Sequence, residues 1–537
     1  MKKFSIVIPC YKQAKLLGRC IGSCLDQDWK EKEIIVVLDG KDETAEGIVK
    51  SFPTGNIKCT LTTEEGKTGA PHARNVGTQM ATGDYITFID CDTTLYPGAL
   101  RSWVEALEEN PDYGFVYSGY KFKVSKDNSS VGVFPSQEFS LYHLEIQNFI
   151  DGSNPMKREV ALQYPWREEL KSLQDWDMWI RICKGGVKGK FLKNQYFFEK
   201  DPPQKGSISY DSHTNWLARV ATVRKLNKLP VRDVCMTSFA ATHHAMRCAE
   251  LMDFDFLDPI HLYGKPHTYK AVYLVGYFPL NQHNPLPFMN GYDADPPVLR
   301  KNIKRIIHWI GTDVMQMQNM PCPHSVLKGL VGQINDKFTQ FCQTEENAKE
   351  LRDLGLKVKV CPLPVDIYDR EIPLPKDFTV AIYDHNTNDI YCQPLMLEVI
   401  KSMPDINFIY FGSDEMKMIR HDLENMKILG RRPIEEIMAK TSVLLRITKH
   451  DGYPVSPVEF ICSKRPVLIN HDFPYMIKVN GSVKDEKSIV EMKKDIMLKI
   501  RMLKKTPKTD KFFKTAKEYY AYAFDPKRLR KEVLKVI

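Results

Sequence analysis

Apolar strands and amphipathic helices alternate regularly through the first 110 residues, and this pattern constrains the fold more than any other feature of the sequence. The strand segments read FSIVIPCY, KEIIVVLDG, IKCTLTTEE and DYITFIDCD, and helical segments such as QAKLLGRCIGSCLDQ and APHARNVGTQMA separate them. Continuous apolar strands that alternate with helices are typical of a parallel sheet covered on both faces. Ligands bind such sheets beyond the carboxyl ends of the strands, so we expect a site there.

The chain divides into three blocks by the same kind of pattern. Its 537 residues are too many for a single core. A second alternation begins near residue 231, and the prolines of LPVDIYDREIPLPKD predict a linker before a third βα series. We therefore predict an α/β protein with an N-terminal domain over residues 1–230 and two Rossmann-like halves over residues 231–370 and 371–537.

Charge and composition exclude several classes of protein. The net charge of +9 is modest for this length. We interpret it as diffuse, which suits anionic small molecules or a membrane surface and argues against nucleic acid. No run reaches the roughly 18 apolar residues of a membrane span, and MKKFSIVIPCYKQ resembles a first strand more than a signal peptide. The 13 cysteines are scattered without a C-x-x-C pair, so we expect a protein of the reducing cytoplasm.

Two aspartates, Asp90 and Asp92, follow the fourth apolar strand with one residue between them. Two carboxylates this close repel each other, so the pair is either solvated or holds a cation. Asp39 also follows a strand, and this shared placement favours a site. Mg²⁺ and Mn²⁺ prefer carboxylate oxygens and share their coordination with substrate phosphates. Farther along, SLQDWDMWIRI places Asp175 at a helix N-terminus, where it could take a proton from an attacking hydroxyl.

Four segments in order resemble the inverting family 2 glycosyltransferases of GT-A fold, over about residues 1–220. SIVIPCYKQ resembles the first strand of that family, and EIIVVLDGKDE resembles its E-I-I-V-V-D-D-G-S-x-D segment. GAPHARNVGTQMATGDYITFIDCD is similar to the family's A-R-N-x-G and Asp-x-Asp run, and QDWDMWIRI to its E-D-x-D-x-W element. Leu38, Lys41 and Gln174 depart from these patterns.

The resemblance implies a site for a nucleotide sugar, with a UDP-sugar favoured. It implies that the nucleotide is bound by Pro9, Tyr11, Asp39, Arg74 and Asp90. It also implies that Asp90 and Asp92 bind a Mn²⁺ or Mg²⁺ ion and that Asp175 is the catalytic base. His213 is a candidate for the family's additional metal contact, and Asp177 is either a second base candidate or a structural carboxylate. The Q-x-x-R-W signature of processive synthases is absent, so we expect one sugar per encounter.

A second resemblance covers the later blocks. LLRITKHDGYPVSPVEFICSKRPVLIN is similar to the E-x7-E segment of family 4-type GT-B glycosyltransferases, with Asp451 and Glu459 as its two acids. RIIHWIGTDV resembles the cleft segment of the N-terminal half and contributes Gly311 and Asp313. The family's usual Arg and Lys are missing from FTVAIYDHNTNDIYCQP, so Arg446 is the candidate diphosphate contact, with Arg431 and Arg432 as alternatives.

The leading prediction is a glycosyltransferase with two modules that modifies a glycan or a lipid-linked acceptor. Two alternatives stay open: the GT-B-like region is a degenerate acceptor-binding scaffold, or the whole chain is a non-enzymatic carbohydrate-binding platform. The Lys-rich tail KKDIMLKIRMLKKTPKTDKFFK suits either a peripheral contact with the inner face of a membrane or a solvated helical surface.

Overall fold

The computed structural model divides into two compact units, Met1–Val231 and Arg232–Ile537. The structure describes residues 2–52, 55, 57–63, 68–123, 131–134, 136–202, 216–238, 241–257, 269–276, 303–365, 367, 372–384, 389–413, 423–452, 455–483 and 485–537. Within these ranges, no helix combines the length and the apolar character that a membrane crossing needs.

The first unit is a mixed sheet with helices on both faces. Its strands are β1 Phe4–Cys10, β2 Lys32–Leu38, β3 Ile57–Leu61, β4 Tyr85–Phe88, β5 Thr93–Leu95, β6 Tyr113–Lys123, β7 Val131–Phe134, β8 Met156–Lys157 and β9 Lys188–Lys200. Its helices are α1 Ala14–Leu25, α2 Glu43–Lys50, α3 Ala70–Met80, α4 Ala99–Glu109, α5 Leu141–Ile146, α6 Arg158–Gln163, α7 Gln174–Lys184 and α8 Trp216–Leu226.

The first four strands pair in parallel, as the alternation predicts. The strand order is β3-β2-β1-β4-β8-β6-β9-β5, and β7 pairs with β6. Every residue of β1 is buried, which explains its continuous apolar sequence. Gly77 allows α3 to pack closely on this strand, since a Cβ there would lie 2.3 Å from Cγ1 of Val7.

The later strands complete the sheet through antiparallel pairs and one parallel pair, β6 with β9, and the antiparallel pairs bring distant segments to the carboxyl end of β4. β8 pairs with β4, and β5 pairs with the end of β9. In the second of these pairings Lys200 lies opposite Thr93, the residue after Asp92. The sequence pattern loosens between about residues 115 and 200, and it does not reveal this pairing.

The second unit contains two six-stranded parallel sheets. The first has β10 Val234–Thr237, β11 Asp255–Phe256, β12 Ala271–Val275, β13 Lys304–Trp309, β14 Thr339–Cys342 and β15 Val358–Val360, with helices α9 Thr242–Met252, α10 Thr312–Gln318, α11 His324–Lys337 and α12 Glu345–Asp353. The second has β16 Thr379–Asp384, β17 Asn407–Gly412, β18 Met426–Gly430, β19 Val443–Arg446, β20 Val467–Ile469 and β21 Ile477–Lys478. Its helices are α13 Gln393–Lys401, α14 Ile434–Met438, α15 Val455–Cys462, α16 Glu486–Lys505, α17 Asp510–Ala523 and α18 Pro526–Leu534, besides a 3₁₀ turn at Asp389–Tyr391.

Both of these sheets are doubly wound. Their strand orders are β11-β10-β12-β13-β14-β15 and β18-β17-β16-β19-β20-β21. The second is the 3-2-1-4-5-6 order of dinucleotide-binding folds, and in each sheet the order reverses beside its first strand. The βα series predicted for both blocks is therefore present within the described residues.

Candidate functional site

The carboxylate of Asp39 lies at the end of β2 and holds the loop that leads into α3. It accepts hydrogen bonds from the backbone N of Thr68 at 2.7 Å and of Gly69 at 2.8 Å, and from the hydroxyl of Thr62 at 3.0 Å. Burial opposes ionisation, but these hydrogen bonds outweigh it and hold the pKa of Asp39 below its usual value. Asp39 is therefore an ionised anchor for the start of α3.

The other two residues predicted at the nucleotide base lie at the end of the neighbouring strand. Pro9 is buried near the end of β1, and its carbonyl accepts a hydrogen bond from the Cys91 thiol. Tyr11 follows the strand, with the ammonium group of Lys12 5.4 Å from its ring. Because β1 and β2 are parallel neighbours, Pro9, Tyr11 and Asp39 share one edge of the sheet.

The guanidinium of Arg74, on α3, joins two of the predicted motifs. It donates to Oδ1 of Asp90 at 2.7 Å and to Oε1 of Gln174 at 3.0 Å. The ring of Trp166 covers the guanidinium at 4.5 Å. Since Gln174 immediately precedes Asp175, this arginine ties the Asp-x-Asp segment to the start of α7.

The two aspartates after β4 differ in their electrostatic surroundings. Burial opposes ionisation of Asp90, but Arg74 and Lys200 outweigh it and lower its pKa. Burial and the charge of Asp90 together raise the pKa of Asp92 to about 6. The hydroxyl of Thr93 donates to the Asp92 carboxylate at 3.2 Å. The ionised form of Asp92 is therefore the one in this pair that an additional positive charge would stabilise most.

The carboxylate of Asp175 lies in the first turn of α7. It accepts hydrogen bonds from the backbone N of Trp176 and from the amide of Asn148, both at 2.9 Å. Burial and the nearby charge of Asp151 raise its pKa to about 6. A carboxylate with a pKa this close to neutrality is suited to accept a proton during a reaction.

Asp177 has the surroundings of a structural carboxylate. It is fully buried and accepts hydrogen bonds from Arg167 at 2.6 Å, Arg181 at 2.9 Å and Asn227 at 2.7 Å. These contacts join α7 to the preceding loop and to the end of α8. With both oxygens engaged in this way, Asp177 is poorly placed to serve as a base.

Two functional candidates were missed by sequence reasoning, Asp151 and Lys200. Nζ of Lys200 lies 2.7 Å from Oδ2 of Asp151 and 5.2 Å from the ring centre of Tyr120. Surrounding carboxylates outweigh burial and raise the pKa of Lys200, so it is charged. Its charge acts on Asp92 and Asp175 as well. The one available signal was a lysine close behind the aromatic residues of the segment YFFEK.

The donor set around Asp92 fits a hard divalent cation that is completed by a substrate. Among the described residues, no three His, Cys, Asp or Glu side chains form a complete metal site. Mg²⁺ and Mn²⁺ commonly bind one or two carboxylates and take their remaining ligands from phosphates and water. Asp90 and Asp92 supply such carboxylates, and the pair carries more negative charge than Arg74 neutralises. His213 lies outside the described residues.

In the second unit, Gly311 and Asp313 form a tight turn after β13. Oδ1 of Asp313 accepts hydrogen bonds from the backbone N of Ile310 and Gly311, both at 2.9 Å. Gly311 has φ of +119°, and a Cβ there would lie 2.6 Å from the backbone N of Gly452. The turns that follow β13 and β19 are therefore in direct backbone contact.

The candidate acids of the second unit are already partnered. Arg446 donates from Nε and Nη2 to Asp451 at 2.7 and 3.1 Å, and the rings of Tyr383 and Tyr391 flank it. Glu459, on α15, lies 4.0 Å from Arg247. The alternative arginines 431 and 432 follow the edge strand β18. Gly311 and Asp451 are thus brought together, with Arg446 committed to Asp451.

Residues 5–164 match the family model described as Glycosyl transferase family 2. The N-terminal unit contains a glycosyltransferase family 2 domain. This mixed α/β domain is GT-A-like, and the prediction of a glycosyltransferase, consistent with class EC 2.4, is confirmed at the level of the domain.

Curated relatives match this family 2 domain. An uncharacterized glycosyltransferase of Rickettsia prowazekii, RP339, is 32% identical over 190 residues, which are 34% of this chain and 58% of the relative. The amylovoran biosynthesis glycosyltransferase AmsB of Erwinia amylovora is 31% identical over 199 residues, which are 34% of this chain and 65% of the relative. The chain thus spans less than two thirds of each of these relatives.

The names of another relative and of two solved structures include nucleotide sugars. The UDP-Glc:alpha-D-GlcNAc-diphosphoundecaprenol beta-1,3-glucosyltransferase WfgD of Escherichia coli is 27% identical over 180 residues, 34% of this chain and 69% of the relative. S. aureus TarS 1-349 in complex with UDP-GlcNAc is 16% identical, with a TM-score of 0.34 over 66% of this chain and 89% of that chain. The mannosyltransferase PcManGT of Pyrobaculum calidifontis, with GDP-Man and Mn²⁺, is 16% identical, with a TM-score of 0.33 over 42% of this chain and 64% of that chain.

Proposed function

We propose that the family 2 domain transfers one sugar per encounter from a nucleotide-sugar donor to a glycan or lipid-linked acceptor, with inversion at the anomeric carbon. The observation that carries the proposal is the Arg74 bridge. It joins the Asp90 carboxylate to Gln174, the neighbour of Asp175, and so unites an acidic couple and a base candidate in one site. The names of AmsB and WfgD support a role in polysaccharide biosynthesis, and that of WfgD favours a UDP-sugar and a lipid-linked acceptor.

In this proposal Asp175 takes the proton from the acceptor hydroxyl as that hydroxyl attacks the sugar. Asn148 and the backbone N of Trp176 orient its carboxylate. A Mn²⁺ or Mg²⁺ ion on Asp90 and Asp92 would neutralise the charge that develops on the departing diphosphate. Pro9, Tyr11 and Asp39 border the nucleotide base, with Asp39 keeping the α3 loop in place. Positioning and proton transfer each supply part of the rate enhancement.

A second transfer site in the second unit is the other candidate function. Its support is the pair of doubly wound sheets and the meeting of Gly311 with the loop that carries Asp451 and Gly452. On this hypothesis residues 231–370 and 371–537 are the two halves of a GT-B-like module, with Gly311, Asp313, Arg446, Asp451 and Glu459 at the donor. The Arg446–Asp451 ion pair favours the alternative, in which this unit binds acceptor without catalysis.

Hydrolysis of nucleotide sugars by the full chain, with and without Mn²⁺, separates these functions. If the first domain alone is catalytic, Asp92→Ala abolishes turnover. If both units work, a metal-independent rate persists in Asp92→Ala and disappears when Glu459→Ala is added. Turnover that neither substitution changes would contradict both enzymatic proposals, whereas the absence of turnover in the wild type would favour a carbohydrate-binding platform.

We place the protein in the cytoplasm, with a peripheral contact at the inner face of the membrane where lipid-linked acceptors are available. The acceptor of WfgD, a diphosphoundecaprenol-linked sugar, is the comparison that supports this setting. A protein that reaches such an acceptor benefits from a surface that binds the bilayer.

A further inference from the structure

The net positive charge of the chain is concentrated at one end. Residues 484–537 contain 17 lysines and arginines and 8 acidic residues, so this segment alone accounts for the whole charge of +9. Residues 1–483 contain 59 basic and 59 acidic residues and are formally neutral. The interpretation of the charge as diffuse is therefore wrong, and an asymmetry of this kind indicates an anionic partner for the segment.

The helix α16 has one face that belongs to the core of the second unit. The buried side chains recur at helical spacing and pack in a cluster with apolar residues of α13: they are Met492, Ile496, Ile500 and Leu503. This packing fixes the orientation of the helix, and so determines which residues point away from the core.

The opposite face of α16 combines exposed apolar side chains with cations. Val490, Leu498 and Met502 are 52%, 58% and 58% exposed. At 100° per residue they share this face with four basic residues and one acidic residue, Lys487, Lys494, Arg501, Lys505 and Glu491, all of them exposed. We call the seven basic and apolar residues the basic crest.

The cations of the basic crest differ from the lysines on the flanks of the same helix. Each flanking lysine has an acidic partner: Lys493 pairs with Glu398, Lys499 with Asp495, and Lys504 with Asp405. The four basic residues of the crest make no ion pair with any residue in the described part of the chain. Their charge is thus left for an external partner.

We propose that the basic crest binds the surface of an anionic phospholipid membrane. Cations attract anionic headgroups at long range, and apolar side chains between them enter the boundary of the acyl chains. Nucleic acid would use the cations alone and would leave Leu498 and Met502 without a role. The inference deepens the proposed function, since it rests on a transferase that meets lipid-linked acceptors and names the surface that does so.

The test is co-sedimentation of the full chain with vesicles of phosphatidylcholine, with and without phosphatidylglycerol. We expect binding to the anionic vesicles only, and release at high salt. The variant Lys494→Gln, Arg501→Gln, Lys505→Gln should bind about 100-fold more weakly, because each cation near such a surface strengthens binding by about 1 kcal/mol. The variant Leu498→Ser, Met502→Ser should also bind more weakly while keeping every charge.

A matched control removes three exposed lysines from elsewhere in the same unit, Lys328→Gln, Lys427→Gln and Lys440→Gln, and should bind as the wild type does. If this control lost as much affinity for anionic vesicles as the triple crest variant, the proposal would be overturned. Binding would then depend on total charge and not on the residues of the basic crest. The proposal would also be overturned if the wild type did not bind anionic vesicles. It would be overturned as well if the serine variant kept its affinity for these vesicles and the chain bound duplex DNA tightly.

Hydrolysis of the soluble donor, measured on the same variants, keeps this inference separate from the transfer reaction. The crest variants should hydrolyse the nucleotide sugar at the wild-type rate, since none of the substituted residues lies in the family 2 domain. Vesicle binding without hydrolysis would contradict the proposed function and support membrane binding by the basic crest. Hydrolysis without vesicle binding would support the proposed function and contradict membrane binding by the crest.

Discussion

The candidate acids of the two units lie in contrasting electrostatic surroundings. In the first unit, Asp92 and Asp175 have pKa values raised to about 6 by burial and by neighbouring carboxylates. In the second, Asp313 accepts hydrogen bonds from backbone amides, and Asp451 forms a bidentate ion pair with Arg446. Excess negative charge in the first site is compatible with a cation and a proton transfer, whereas the contacts of the second unit's acids are those of structural carboxylates.

The largest expected effect is the loss of the base candidate. Asp175→Asn keeps the shape of the side chain and removes its ability to accept a proton, so kcat/KM for transfer should fall by about 10²- to 10⁴-fold. Binding of UDP, measured by calorimetry, should change little. A transfer rate within tenfold of the wild-type rate would contradict the contrast between the two units. Asp175 would then not be a catalytic group, and in this respect it would resemble Asp451.

The next effect concerns stability in the second unit. Asp451→Asn leaves the buried guanidinium of Arg446 without its counter-charge, so the free energy of unfolding should fall by about 3 kcal/mol. Urea denaturation of the full chain measures it. Glu398→Gln, which removes an exposed ion-pair partner, is the control and should cost less than about 1 kcal/mol. Equal stability of the two variants would show that Asp451 is not a structural acid.

A pH profile sharpens the same contrast. Asp175 acts as a base only when ionised, and its pKa of about 6 lies above the usual range of aspartate. The value of kcat/KM should therefore be constant well above pH 6 and fall about tenfold per pH unit below it, provided that the chain stays folded. Circular dichroism at each pH checks the folding. An acid limb near pH 4 would contradict the burial of this carboxylate.

The smallest expected effect is a shift of the acid limb, the part of the pH profile in which kcat/KM falls with decreasing pH. The charge of Lys200 stabilises the ionised forms of Asp92 and Asp175, so Lys200→Met should move the limb to higher pH. Lys200→Arg keeps the charge and should leave the limb close to its original position. Movement of the limb by equal amounts in both variants would assign Lys200 a role in packing and not in electrostatics.

The sequence predicted the local elements well and the long-range pairing poorly. Helices such as Ala14–Leu25 and strands such as Val443–Arg446 follow from periodicity and apolar runs, which local physical chemistry determines. The approach of Asp151 and Lys200 to Asp92 depends on antiparallel pairing between segments far apart in the chain. No motif marks either residue, and Arg446 likewise gave no sign that it would bind the acid five residues away.

The contact between Gly311 and Gly452 affects any molecule that binds between the turns after β13 and β19. Since neither turn has space for even a methyl group, nothing fits between them in this conformation. A guest that binds between these two turns must first separate them, and the measured affinity then includes the free energy of that opening. A weak observed dissociation constant at this place could therefore coexist with strong intrinsic contacts in the opened form.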